Sequence, residues 1–221
     1  MVILPESNIS KSQIISDPIG IIVPSSKSLP SIRKGPIYLL SVIGDSISPS
    51  QSFMRIASEV QINAIQTSSE CKSGSERISS VLSKMINKGT PYESTLVVNV
   101  QGDQPFIDPS IINSMIKEFK AETPHPEVIT PIYRLSSNKI HNPNIVKTLV
   151  ASDKSVIYFS RSAIPYVRGF NKECWHEHAT FWGHVGIYGY RADILKEWNN
   201  LPYSSLENVE KLEQLRILEA G

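Results

Sequence analysis

The clearest pattern along the chain is the run from Leu96 to Pro105, LVVNVQGDQP, where an apolar, β-branched stretch breaks abruptly into polar and turn-forming residues. A short apolar run bounded by turn residues predicts a strand buried on both faces, and ligands of open α/β sheets collect beyond the carboxyl ends of such strands. Downstream of Ser73 the pattern turns helical. Ser73 and Glu76 have capping-box spacing, Ile78, Leu82, Met85 and Ile86 form one stripe, and Gly89 supplies a stop. Asp108 and Pro109 predict an N-cap and first turn, with Ile111, Ile112, Met115, Ile116 and Phe119 inward. Strands are expected at Glu127–Leu135, Ile145–Val150, Val156–Ser160 and Gly186–Tyr190, the middle two joined as a hairpin through Ser152, Asp153 and Lys154. A helix near Ala192–Asn199 follows. Ser204 and Glu207 then cap a last helix with Leu206, Val209, Leu212 and Leu215 inward.

Before residue 70 the chain is serine-rich and both periodicities are weak. Strands are expected at Ile19–Val23 and Ile37–Ile43, separated by a polar loop from Pro24 to Pro36 that carries Lys27, Arg33 and Lys34. Alternating helices and strands predict one α/β domain over residues 1–221, with a mostly parallel sheet flanked by helices and an inserted antiparallel section.

Composition narrows the function without naming it. The 22 Lys and Arg against 21 Asp and Glu leave no global field to attract nucleic acid or an anionic membrane, so any phosphate site must be local. Cys71 and Cys174 form no disulfide framework, the apolar start MVILPESNIS is too short for a signal peptide, and no stretch approaches a membrane span. These features predict a cytoplasmic protein.

Asp103 is the leading candidate for chemistry. Gly102 and Pro105 would end the strand beside it, and its carboxylate is a hard oxygen donor suited to Mg²⁺, although an Asp in an ordinary strand-end turn fits the same spacing. Lys27, Arg33 and Lys34 in a loop after a first strand could hold a triphosphate or form a solvated face. On one continuous strand His184 and Tyr188 would share a face. Cys174, His176, His178 and His184 do not have structural zinc spacing.

The run VNVQGDQPFI, together with SGSER (Ser73 to Arg77), NPNIVK (Asn142 to Lys147), YFSRSAIPY (Tyr158 to Tyr166), HVGIYGYR (His184 to Arg191) and LEQLRIL (Leu212 to Leu218), resembles the CMP-KDO synthetase family, the 3-deoxy-manno-octulosonate cytidylyltransferases. The resemblance implies a Rossmann-like nucleotidyltransferase fold, a homodimer, and transfer of CMP from CTP to the acidic 2-keto sugar 3-deoxy-manno-octulosonate (KDO) with Mg²⁺ as cofactor. It implies Asp103 as the metal ligand and, with Arg161, a catalytic residue. Gln101, Arg161, His184, Tyr188, Glu213 and Gln214 would bind the sugar. Lys27, Arg33, Lys34, Ser73, Gly74 and Arg77 would bind the nucleotide. Residues 1–70 would form a divergent nucleotide-binding part, and 127–191 a sugar-binding and dimerisation part in which Tyr158, Phe159, Ile164 and Tyr166 offer an exposed aromatic patch.

Two departures from the family pattern stand out. Its basic loop, of the form RxxSxRLPGK, overlays here with Ser26 and Ser31 in place of arginines. The sequence ends at Gly221, shortly after LEQLRIL, where the family continues to a second acidic metal ligand, so weak activity is an expectation. The alternatives are a non-catalytic homologue with a binding or structural role, and a cytidylyltransferase for another acidic sugar such as sialic acid. The HVGIYGYR and LEQL blocks favour KDO over the latter.

Overall fold

A computed structural model describes residues 2–4, 22–24, 37–42, 59, 65–101 and 107–221. In chain order the strands and helices are β1 (Val2–Leu4), β2 (Ile22–Pro24), β3 (Ile37–Val42), α1 (Gly74–Met85), β4 (Leu96–Gln101), α2 (Pro109–Ala121), β5 (Val128–Arg134), β6 (Lys147–Val150), β7 (Val156–Ser160), α3 (Trp175–His178), β8 (Trp182–His184), β9 (Ile187–Arg191), α4 (Ala192–Lys196), α5 (Ser205–Glu210) and α6 (Leu215–Ala220). Contacts divide the chain into two compact units. The first comprises Met1–Ile9, Ile129–Val185 and Leu201–Gly221, and the second Ser10–Val128 and Gly186–Asn200. The segment expected to form one sugar-facing part, 127–191, is thus shared between them.

In the second unit the strands lie in the order β2, β3, β4, β9. β4 is buried on both faces, with Leu96, Val97, Val98 and Asn99 at 2% exposure or less, as its largely apolar run predicts. It pairs parallel with β3 and antiparallel with β9. The Ser73 hydroxyl accepts from the Glu76 N–H, and the Glu76 carboxylate accepts from the Lys72 N–H, so the capping box closes one residue early. The helix ends at Met85, ahead of Gly89, whose positive φ of 89° serves the turn that follows. Helix α2 has the Asp108 cap on Ser110 N–H and buries all five expected apolar residues.

In the first unit β8 lies between β5 and β6, β7 pairs with β6 as the expected hairpin, and β1 runs parallel to β5. The expectation of a mostly parallel sheet is therefore corrected: among the described residues β3–β4 and β1–β5 pair parallel within the units, and the other described pairings within them are antiparallel. Periodicity reveals that a strand exists but not the direction of its neighbour. The last helix is corrected too. It breaks at Lys211, which adopts a left-handed φ of 55°, giving α5 and α6. Leu212 and Leu215 are buried with Phe159, while Val209 is 80% exposed. Among the described residues no helix is long and apolar enough to cross a membrane.

Gly183 in β8 is required by close approach. A Cβ there would sit 2.7 Å from the Leu135 side chain and 2.8 Å from the Tyr133 ring. Gly183→Ala is expected to destabilise the protein by about 1–3 kcal/mol through overpacking, read from chemical denaturation at constant m-value.

Candidate active site

A polar cluster of the first unit surrounds the turn after β7. Lys147 opens β6 as a fully buried side chain, and its Nζ donates to the carbonyls of Asn142 (2.8 Å), Ile145 (2.7 Å) and Arg161. All three ammonium protons thus meet oxygens, the condition under which a buried cation is tolerated. Burial holds the ammonium below its ordinary pKa, the nearby Arg161 adds to this, and Glu210 opposes it. On the other side of the same turn the Glu210 carboxylate accepts from the Ser160 hydroxyl (2.6 Å) and the Arg161 N–H (2.9 Å). The Arg161 guanidinium donates to the carbonyls of Glu210 (2.8 Å), Pro143 (3.2 Å) and Lys211 (3.4 Å). Backbone and side chain of Arg161 are both fixed, between the segment entering β6 and the end of α5.

His184 ends β8. Its backbone N–H donates to Val146 (2.9 Å), and its Nε2 lies 2.8 Å from the Thr130 hydroxyl on β5. The fully buried Phe159 ring packs against the imidazole edge-to-face, at a centroid distance of 4.9 Å and an interplanar angle of 66°. Burial pushes the imidazole pKa from 6.5 down to about 3, so the ring is neutral at ordinary pH. Phe159 also clusters with Leu212 and Leu215, which bracket Glu213 and Gln214. One buried ring therefore touches His184 and supports the segment carrying Glu213 and Gln214, two more of the expected sugar-facing residues. Gln214 is 2% exposed, and its Nε2 has no hydrogen-bond partner. Such an orphan costs about 1–3 kcal/mol.

In the second unit the Ser73 hydroxyl is used as the α1 cap, Gly74 begins that helix, and Arg77 donates to the Thr67 hydroxyl (2.7 Å) and the carbonyls of Ser68 (2.8 Å) and Cys71 (3.4 Å). Arg77 thereby ties the approach loop to the helix N-terminus. Gln101 ends β4 half-buried. Tyr188 is 3% exposed and stacks on Tyr190, whose hydroxyl lies 2.8 Å from Ser75 Oγ.

Residues 48–221 match the family model for cytidylyltransferase. The chain belongs to the cytidylyltransferase family. It is 42% identical over 159 residues to the 3-deoxy-manno-octulosonate cytidylyltransferase of Elusimicrobium minutum, covering 72% of this chain and 61% of that protein. The enzyme of the same name from Parabacteroides distasonis is 36% identical over 183 residues, covering 80% and 71%. A solved structure of CMP:2-keto-3-deoxy-manno-octonic acid synthetase complexed with CTP superimposes with a TM-score of 0.68 at 32% identity, covering 78% of this chain and 66% of that one. The chain spans about three-fifths of the length of the first curated relatives it matches.

Several sequence expectations are revised in this cytidylyltransferase-family chain. His184 and Tyr188 do not share one strand: the strand breaks after His184, and Tyr188 belongs to β9 in the other unit. Glu213 and Gln214 lie in the turn between α5 and α6 rather than on a helix. Phe159 is core, not part of an exposed aromatic patch; Tyr158 and Ile164 are half-buried, and Tyr166 is 73% exposed. Lys27, Arg33, Lys34 and Asp103 lie outside the described residues. Among the described residues no group of three or more His, Cys, Asp or Glu could hold a metal ion. Sequence reasoning missed Thr130, took Lys147 only as the end of the NPNIVK block, and named Glu210 only as a carboxylate that could substitute as a metal ligand. A lysine inside the apolar opening of a strand was the available signal for Lys147; a Thr and a Glu carry none without their partners.

Lys147→Met is expected to lower stability by about 2–4 kcal/mol, since buried carbonyls lose their donor, as measured by urea unfolding. His184 makes stability pH-dependent. Between pH 6.5 and about 3 the unfolded chain binds a proton that the folded ring refuses, so stability falls on acidification across that window by up to about 1.4 kcal/mol per pH unit. His184→Gln should flatten this slope in unfolding curves taken from pH 7 to 4.

Proposed function

We propose that this family member is a cytidylyltransferase that joins CMP from CTP to KDO, releasing pyrophosphate, for lipopolysaccharide biosynthesis. A sugar hydroxyl oxygen bonds to the α-phosphorus, the bond to the β-phosphate oxygen breaks, and the hydroxyl proton leaves. Such a transfer asks the protein mainly for alignment and for charge compensation. The observation that carries the reading is the buried Phe159, which contacts neutral His184 and clusters with the leucines flanking Gln214 and its unpartnered amide donor. These uncharged hydrogen-bonding groups suit sugar hydroxyls. The carboxylate of the sugar would go to Arg161, through guanidinium N–H groups beyond the three nitrogen contacts it makes to backbone carbonyls. CTP would be met by Ser73, Gly74 and Arg77 at the start of α1, with Lys27, Arg33 and Lys34. Gln101 and Tyr188 are further candidate sugar-binding residues by the family resemblance.

The donor chemistry of Asp103, a hard carboxylate oxygen in the segment following β4, fits Mg²⁺, which when bound would neutralise phosphate charge. The protein would act in the cytoplasm as a symmetric homodimer, with the exposed Tyr166 of the Tyr158–Tyr166 segment at the interface.

The test is a pyrophosphate-release assay with CTP, Mg²⁺ and a panel of acidic sugars. Turnover with KDO above sialic acid is expected, and Asp103→Ala should abolish it while leaving the fold intact. Arg161→Lys should raise KM for the sugar far more than for CTP, because Lys keeps the charge and loses the planar fork. Absence of pyrophosphate release with every sugar would favour a non-catalytic homologue.

A further inference from the structure

We infer that Glu210 is a positioning residue for Arg161, one that fixes the guanidinium by hydrogen-bond geometry while leaving its charge for the carboxylate of an acidic sugar. Glu210 holds Arg161 twice. Its carboxylate accepts from the Arg161 N–H (2.9 Å) and from the Ser160 hydroxyl (2.6 Å), and its backbone carbonyl accepts from Arg161 Nε (2.8 Å). The Arg161 carbonyl is taken at the same time by the Lys147 ammonium. The peptide that roots the Arg161 side chain is thereby fixed from both sides. A single residue at the end of α5 sets both that root and the fork at the far end of the side chain.

The direction of the Glu210 carboxylate gives this arrangement its use. A carboxylate beside an arginine commonly takes the guanidinium itself, as a two-pronged pair. Here it is turned to a backbone N–H and a hydroxyl, and the guanidinium meets neutral oxygens, the carbonyls of Glu210, Pro143 (3.2 Å) and Lys211 (3.4 Å). Glu210 and Lys211 close α5, so two of these are helix-terminal carbonyls that need a donor. An arginine carries one N–H on Nε and two on each terminal nitrogen. The contacts use Nε–H and one hydrogen each of Nη1 and Nη2, so each terminal nitrogen keeps one. Two hydrogens on a planar fork and a positive charge not matched by Glu210 are what a ligand carboxylate requires. Arg161 is half-buried, so its fork is both fixed and within reach of a ligand.

The inference rests on the reading of Arg161 as the contact for the sugar carboxylate, and its test separates the two. Glu210→Asp keeps the charge and withdraws it by one methylene. Glu210→Gln removes the charge and keeps the reach, its amide oxygen accepting from the Arg161 N–H and its amide N–H donating to the Ser160 oxygen. In steady-state kinetics Glu210→Asp should raise KM for KDO about tenfold, the loss of one well-made hydrogen bond, and leave KM for CTP and kcat within about twofold. Glu210→Gln should stay within about twofold on all three. In the ¹⁵N-arginine-labelled 221-residue chain, with Arg161 Nε assigned by its loss in Arg161→Lys, the Nε–H should exchange slowly in the native and Gln proteins and fast in the Asp protein. An unchanged sugar KM in Glu210→Asp overturns the inference. So does a sugar KM raised as far by Gln as by Asp, which would make the carboxylate's charge, on a metal or on the sugar site, its function. If the native chain does not turn over KDO, the proposed function fails, and equal Nε–H exchange in the native and Asp proteins would then refute the positioning role by itself. Should Glu210→Asp not fold, a fast-exchanging Nε–H in the native protein or an impaired Glu210→Gln still overturns it.

Discussion

The first unit depends on the buried ammonium of Lys147. Taking a lysine out of water is costly, and the attraction it regains from neutral carbonyls rarely exceeds that cost by much. Its value lies in geometry. Three carbonyls from different points of the chain, at Asn142, Ile145 and Arg161, converge on one nitrogen. Segments that bring carbonyl oxygens together would repel one another without a cation between them. Glu210 mirrors this on the other side of the same turn by accepting from Ser160 and Arg161. Arg161 is held through its carbonyl by a cation and through its N–H by an anion.

That clasp orders what lies around it. Lys147 pairs with Ser160 in the β6–β7 hairpin and with Gly183 in β8, so the strand that delivers His184 is registered against the strand that carries the ammonium. Glu210 stands at the last turn of α5, immediately before the left-handed Lys211 that lets the chain reverse into α6. The reversal puts Leu212 and Leu215 against Phe159 and leaves Gln214 buried between them. A second carboxylate, Glu219, returns from α6 to accept from the Ser204 and Ser205 hydroxyls and the Leu206 N–H at the start of α5. Two short helices, each too brief to be stable alone, are thus held by two carboxylates, Glu210 just before the turn and Glu219 near the end of α6.

The chemistry suggested by this arrangement is recognition by groups that carry no net charge where they meet hydroxyls, beside a fixed guanidinium. His184 is kept neutral by burial, and the Gln214 amide is kept dry. Under the proposed function, both would carry in the free protein a cost that is offset when sugar binds.

The sequence by itself determined the elements whose signals are local. The apolar run of β4, the Asp108 cap and buried stripe of α2, the capping pair Ser73 and Glu76, and the β6–β7 hairpin follow from periodicity and backbone hydrogen-bonding needs within a few residues. The motif blocks likewise pointed to the family that residues 48–221 match. Tertiary structure alone decided strand direction, because a strand's pattern of inward residues is the same beside a parallel or an antiparallel neighbour. It broke the HVGIYGYR run after His184 and gave its two ends to separate strands. It turned Phe159 inward, since only the return of Leu212 and Leu215 could cover it. Thr130, Lys147 and Glu210 acquired their roles from partners distant in sequence, 54 positions from Thr130 to His184 and 50 from Ser160 to Glu210. No window of sequence holds such pairs, because hydrogen bonds of that span exist only once the chain has closed around them.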